Sequence, residues 1–337
     1  MPALSRIGRT LLVLTSSLIL STQTLATGER PQVVTSLKPL ELLVRAVAHD
    51  QVDVTTLVPS GSSPHTYQLR PSERQRLASA DLVFWVGPGM ENFLTRLLTG
   101  PDFRDRTLAL GPSAEADGDN AGGHGDERGD RHADKGHDHH DHDEGNDKHE
   151  EEAQGNHTGH NHGEGEDPHI WLDPALARAM AREIAGQLKA LEGVDADAID
   201  DNLASFHDSV RSAEEKIHQQ LAPAGDLELF TYHDAFRRFA EHYGLTIAGV
   251  LTLSPERTPG ARHLAEVQDR LASAQNTCLL TEPQFDRQWW EALMDDVDVP
   301  LSTWDPLAGD IEASPRGYVL FQQSLADAVL MCLDPSS

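Results

Sequence analysis

The segment QVVTSLKPLELLVRAVAHDQVDVTTLV, residues 32–58, reads as strand, helix, strand. Gln32 to Ser36 is strand-like. Lys38 to His49 then carries Leu40, Leu43, Val44 and Val47 at helical spacing, and Val54 to Val58 returns to a short β-branched run. A helix between two short apolar strands is a βα unit, and the chain repeats it. Ser72 opens a further helix, with Gln75 three residues on as in a capping box, and Leu82 to Val86 is strand-like again. The expected fold class is α/β, with a mostly parallel sheet flanked by helices.

The pattern returns after residue 166. Helices are expected over Pro174 to Leu191 and Ala196 to Leu221; the second would span about 40 Å and could join two domains as a stiff connector. Beyond it, Leu227 to Thr231, Leu245 to Leu251, Thr277 to Leu280 and Val299 to Thr303 read as strands. Ala235 to Tyr243, Pro259 to Ala274, Asp286 to Met294 and Pro315 to Cys332 read as helices. Two similar lobes joined by a long interlobe helix follow. The expected divisions are a first lobe at 27–112, its remainder at 167–195, a connecting helix at 196–222 and a second lobe at 223–337.

Three histidines stand where such folds bind ligands, at the carboxyl ends of strands. His65 lies in the turn-rich loop Ser60 to Tyr67. His169 is expected to end a strand just before a helix opened by Asp173 and Pro174. His233 follows Thr231-Tyr232, and Asp305 stands at the end of another strand, before Pro306. Each alone is commonplace, since a histidine can be satisfied by backbone partners and an aspartate before proline is often a turn residue. Three imidazoles and a carboxylate divided between two lobes instead describe a tetrahedral metal site in the cleft.

Residues 1–26 carry Arg6 and Arg9, an apolar run from Leu11 to Leu20 and a small-residue approach at Ala26, as in a secretory signal peptide. A bacterium with two membranes would deliver the mature chain to the periplasm. The net charge of -28 argues against nucleic acid and anionic lipid as partners and favours the approach of cations. Cys278 and Cys332 are the two cysteines, and an even count in an exported chain reads as a disulfide, with two buried thiols the alternative.

Residues 113–166 contain ten histidines and 17 acidic against four basic residues, with no aromatic or long aliphatic side chain. This composition cannot build a core, so disorder is expected. Within it His137-Asp138-His139-His140-Asp141-His142 matches a zinc-hydrolase signature, but a tract this rich in histidine produces such matches by chance, and it offers no rigid support.

Taken together, SPHTYQLRPSE around His65, ADLVFWVGPGME at 80–91, HIWLDP around His169, YHDAFRRF around His233, TPGARHLAEV at 258–267, EPQF at 282–285 and DPLA from Asp305 resemble the cluster A-I solute-binding proteins of ABC transporters. Within them the chain resembles the zinc-uptake branch, over the whole mature length. The histidine-rich insertion and the cysteine pair are similar to that branch too. Manganese-type members resemble the chain less, because they typically carry glutamate where His233 stands. The resemblance implies that His65, His169 and His233 ligate Zn2+ as transported cargo and that an ABC membrane permease is the partner. Some zinc members have a glutamate immediately before the first histidine. Here Pro64 occupies that place, leaving Asp305 or water as fourth ligand, and Asp305 would partly neutralise the ion.

Two other classes compete. A secreted zinc hydrolase also uses three histidines with an open position, but HExxH is absent, leaving Glu282 as the acid to weigh. A metal buffer or adhesin would place function in the histidine-rich loop. The chain has no Walker A motif, so transport energy would come from a separate ATPase. The leading expectation is a monomeric, non-catalytic zinc-capturing protein.

Overall fold

The computed structural model describes residues 29–111, 167–252, 260–285 and 299–333. The expected signal peptide, the histidine-rich insertion and the helix expected over Asp286 to Met294 lie outside the described residues.

Strands β1 (Gln32–Thr35), β2 (Asp53–Thr56), β3 (Leu82–Trp85) and β4 (Thr107–Ala109) form a parallel sheet in the order β2-β1-β3-β4. Strands β5 (Glu228–His233), β6 (Thr246–Thr252), β7 (Thr277–Thr281) and β8 (Leu301–Thr303) form a second, in the equivalent order β6-β5-β7-β8. In each sheet the chain leaves the first strand for one neighbour and then crosses to the other, so the carboxyl ends of the central strands become a switch point.

Period-2 alternation divides each strand between two cores. Val33 faces the large shared core while Val34 joins a smaller cluster with Leu77, Val83 and Trp85; likewise Leu229 faces inward and Phe230 joins Leu251, Val267 and Leu279 on the outer face. Gly249 is required beside Phe230, because a Cβ there would meet that ring at 2.7 Å.

The shared core runs through both lobes. Helix α1 (Lys38–Ala48) is buried on nearly every face, with Leu40, Leu42, Leu43, Val44 and Val47 each fully covered. The short helices α2 (Pro71–Ser79) and α3 (Asn92–Leu98) cover the outer face of the first sheet. Helix α4 (Pro174–Leu188) begins where the Asp173 carboxylate accepts from the Ala175 and Leu176 amides. Helix α5 (Ala196–Leu221) occupies the residues expected of it, and its seam of Ile199, Phe206, Val210, Ile217 and Leu221 packs against its neighbours along the whole length. The second lobe adds α6 (Arg237–Tyr243), α7 (Ala261–Ser273) and α8 (Gly317–Leu330). Cys278 on β7 and Cys332 beyond α8 are bonded, tying that helix to its sheet.

Two local expectations are corrected. The helix after His65 starts at Pro71 rather than Ser72, and its cap is Glu73, whose carboxylate accepts the Arg70 amide at 2.7 Å; Ser72 and Gln75 play no part. His169 does not end a strand but precedes a 3-10 turn, Ile170–Leu172. Its amide is bound by the Asp167 side chain, which replaces a ladder partner. Finally, α3 and β4 went unread in the sequence.

Candidate metal centre

His65 sits in the loop between β2 and α2, His169 at the head of the 3-10 turn, and His233 is the last residue of β5. The structure brings them together. One ring nitrogen of each lies within 4.8 Å of the others, forming the sole such group of histidine, cysteine or carboxylate atoms among the described residues. Ring centroids are 5.3 Å apart for His169–His233, 5.6 Å for His65–His169 and 5.8 Å for His65–His233. The Nε2 atoms of His169 and His233 are 3.4 Å apart.

Each of the two buried imidazoles touches a carboxylate through its other nitrogen. Asp167 Oδ1 is 2.7 Å from His169 Nδ1, and Glu282 Oε1 is 2.7 Å from His233 Nδ1. Burial, then the neighbouring His169 and His233, hold the His65 pKa down at about 3. Burial also lowers His169, outweighing the opposing pull of Asp167. At His233 burial works downward too, but the charge and hydrogen bond of Glu282 outweigh it and the pKa rises. Neutral His65 and His169 are therefore ready electron-pair donors.

The cavity between them is about 10 Å3, walled by Pro64, Trp171, Phe285, Pro306 and Leu307. That is room for one water-sized body.

Asp305 is not gathered with the histidines. Its Oδ1 accepts from Gln284 Nε2 at 2.5 Å and the Leu307 amide at 2.9 Å, and its Oδ2 from the Gly309 amide at 2.6 Å. Gly309 must lack a Cβ, which would fall 2.8 Å from Asp305 Oδ2. The carboxylate caps its own turn instead of reaching into the cleft. What residue-by-residue reading missed is Asp167, and it weighed Glu282 only as a catalytic acid. Both stand at recognisable places: Asp167 before the Pro-His pair, Glu282 one residue beyond a strand.

The turn carrying His169 is held by the second lobe. Trp171 Nε1 donates to the Pro306 carbonyl at 2.7 Å, Tyr318 Oη to the Trp171 carbonyl at 2.9 Å and Gln322 Nε2 to the Leu172 carbonyl at 3.3 Å. Arg238 Nε donates to the Asp167 carbonyl at 3.0 Å.

Two parallel α/β lobes meeting at a cleft of ionic size define a two-lobed solute-binding protein. The chain belongs to the ZnuA family, described as zinc-uptake complex component A, periplasmic, whose family model matches residues 33–332. It is 34% identical over 307 residues to the high-affinity zinc uptake system protein ZnuA of Yersinia pestis, covering 89% of this chain and 91% of that one. To the protein of the same name from Brucella abortus (strain 2308) it is 30% identical over 316 residues, covering 91% and 92%. Among solved structures it superposes on a ZnuA crystal structure with a TM-score of 0.65, at 22% identity over 89% of this chain and 99% of that one. On the periplasmic zinc-binding protein TroA from Treponema pallidum the TM-score is 0.64, at 19% identity, covering 89% and 99%.

Proposed function

We propose that this protein captures Zn2+ in the periplasm and hands it to the membrane permease of an ABC importer. His65, His169 and His233 act as the ligands. The observation that carries the ligand set is the 3.4 Å separation of the His169 and His233 Nε2 atoms. Two nitrogens at about 2.0–2.1 Å from one tetrahedral zinc stand about 3.3 Å apart, so the imidazoles already hold the spacing the ion needs. Imidazole donors favour zinc over manganese. High-affinity zinc uptake, the role named for relatives at 30–34% identity, supports the same cargo.

The reading is of a binding protein rather than an enzyme. A hydrolase of this geometry would need space beside the zinc for its substrate, and the cavity has room for one water-sized body. No helix of the described residues is long and apolar enough to cross a membrane.

The test is a zinc titration against a chromophoric chelator, using the chain with residues 113–166 deleted, with and without His169→Ala. One tight site that survives the deletion and disappears with His169 is expected. Tight binding lost with the insertion alone would move function to the histidine-rich loop. Growth of a transporter-deficient strain under zinc limitation tests the uptake role separately, and a binding-competent chain that fails to restore growth would sink it.

A further inference from the structure

We infer that Asp167 and Glu282 are the positioning residues of this cleft, and that Arg238 makes the first of them depend on contact between the lobes. The inference rests on the ligand reading above and adds how the ligands are aimed. An ionised carboxylate can only accept, so an imidazole nitrogen 2.7 Å from one must carry the proton. In the neutral rings, Asp167 and Glu282 thereby assign the N–H of His169 and His233 to Nδ1 and leave the lone pair of each on Nε2. Those two atoms are the pair that face each other at 3.4 Å. Lone pairs aimed at one another repel; a divalent cation between them turns that repulsion into attraction.

Glu282 is almost wholly buried, and among the described residues its second oxygen has no hydrogen-bond partner. A carboxylate placed only to hold the fold would be expected to have both oxygens satisfied, because an unpaired buried acceptor is costly. A positive charge beyond the imidazole offsets that cost. Outer carboxylates of this kind fix ring orientation and raise the basicity of the ligating nitrogen.

The two carboxylates are held differently. Glu282 and His233 belong to the same lobe, one at the end of β7 and the other at the end of β5. Asp167 belongs to the first lobe, yet Arg238 of α6 in the second lobe donates to its carbonyl at 3.0 Å and lies 3.5 Å from its Oδ2. Separation of the lobes withdraws Arg238, frees the Asp167 side chain to rotate, and loosens the aim of His169. Ligand order and lobe closure are then one event, which gives the permease a means of release: parting the lobes weakens a ligand it need not touch.

The test uses the full chain. Glu282→Ala and Asp167→Ala are each expected to weaken zinc about 10- to 100-fold in chelator competition. Glu282→Gln, whose amide oxygen still accepts from Nδ1–H, should lose less and guards against a folding failure of the alanine variant. Nitrogen-15 NMR of zinc-free protein at mildly alkaline pH, assigned with His169→Ala and His233→Ala, should show Nδ1–H tautomers for both rings, retained in Glu282→Gln and lost at His233 in Glu282→Ala. A structural role alone would not move that signal. Arg238→Gln should release zinc faster in stopped flow, and an unchanged rate would overturn the cross-cleft link. Unchanged affinity and tautomer in Glu282→Ala, with binding lost in His233→Ala, would overturn the positioning role alone. Binding retained in His233→Ala would overturn the ligand reading and this inference with it.

Discussion

The indole nitrogen of Trp171, two residues from His169, donates to the carbonyl of Pro306 at 2.7 Å and so bonds one lobe to the other inside the buried wall of the cleft. Trp171→Phe keeps most of the ring and removes the donor. The stranded Pro306 carbonyl should cost about 1–3 kcal/mol, read in urea unfolding. An unchanged midpoint and slope would show that the bond contributes nothing to joining the lobes.

Substitution of a cleft histidine should act on zinc rather than on the fold. Alanine at His65, His169 or His233 is expected to weaken binding by at least about 100-fold, the upper end of what losing an outer partner costs. Saturating zinc at about 100 times its dissociation constant should stabilise the native protein by about 2.7 kcal/mol, and chelation should abolish that gain. Calorimetric titration and thermal scans together check both halves.

Asp305→Ala should show the opposite profile. The Leu307 and Gly309 amides lose their acceptor, costing about 1–3 kcal/mol of stability, while zinc affinity changes far less than in any histidine variant. A loss of zinc affinity as large as that of His233→Ala would return Asp305 to the ligand set.

Reduction, or Ser at both Cys278 and Cys332, should destabilise the second lobe by about 2–4 kcal/mol, because the bond closes a 54-residue loop in the unfolded chain. Both sulfurs are buried, so the bond should resist mild reductant in the native state and yield in denaturant. Thiol titration under the two conditions distinguishes these outcomes.

Stability should fall as pH rises past the ordinary histidine value of 6.5, through His242. Its Nδ1 lies 3.4 Å from Asp173 Oδ1 and its Nε2 2.8 Å from Glu214 Oε1. The Asp173 hydrogen bond and the two acidic charges raise its pKa above 6.5, outweighing its burial. A raised histidine stabilises fully below the unfolded value and loses that contribution as pH climbs through the folded one. Because Asp173 caps α4 and Glu214 sits on α5, the loss loosens the connecting helix. In His242→Gln this part of the pH dependence should vanish, as followed by denaturation midpoints on either side of neutrality.

Much of the fold was legible because hydrophobic periodicity is local. The seam of α5 repeats at alternating seven- and four-residue steps from Ile199 to Leu221, and that spacing admits one structure over that length. Asn92–Leu98 escaped notice because seven residues with four apolar side chains show no decisive period. At Pro71 two start signals competed: Ser72 with Gln75, and proline at the first helical position with Glu73 behind it. The second won because Glu73 also accepts from Tyr67 Oη at 2.5 Å, anchoring the cap to the loop that carries His65.

By itself, then, the sequence determined two βα-repeating lobes, a long connector between them, and the places of His65 and His233 after strands, since backbone pattern and turn chemistry act over a few residues; His169, expected at a strand end, stands instead before a 3-10 turn. The tertiary structure decided which polar groups meet. Glu282 finds His233 across 49 residues and Trp171 finds Pro306 across 135, while Asp305, read as a ligand, finds mostly its own turn. A hydrogen bond is satisfied by whatever donor or acceptor packing brings within reach, and that choice exists only once the two lobes have closed on their common core.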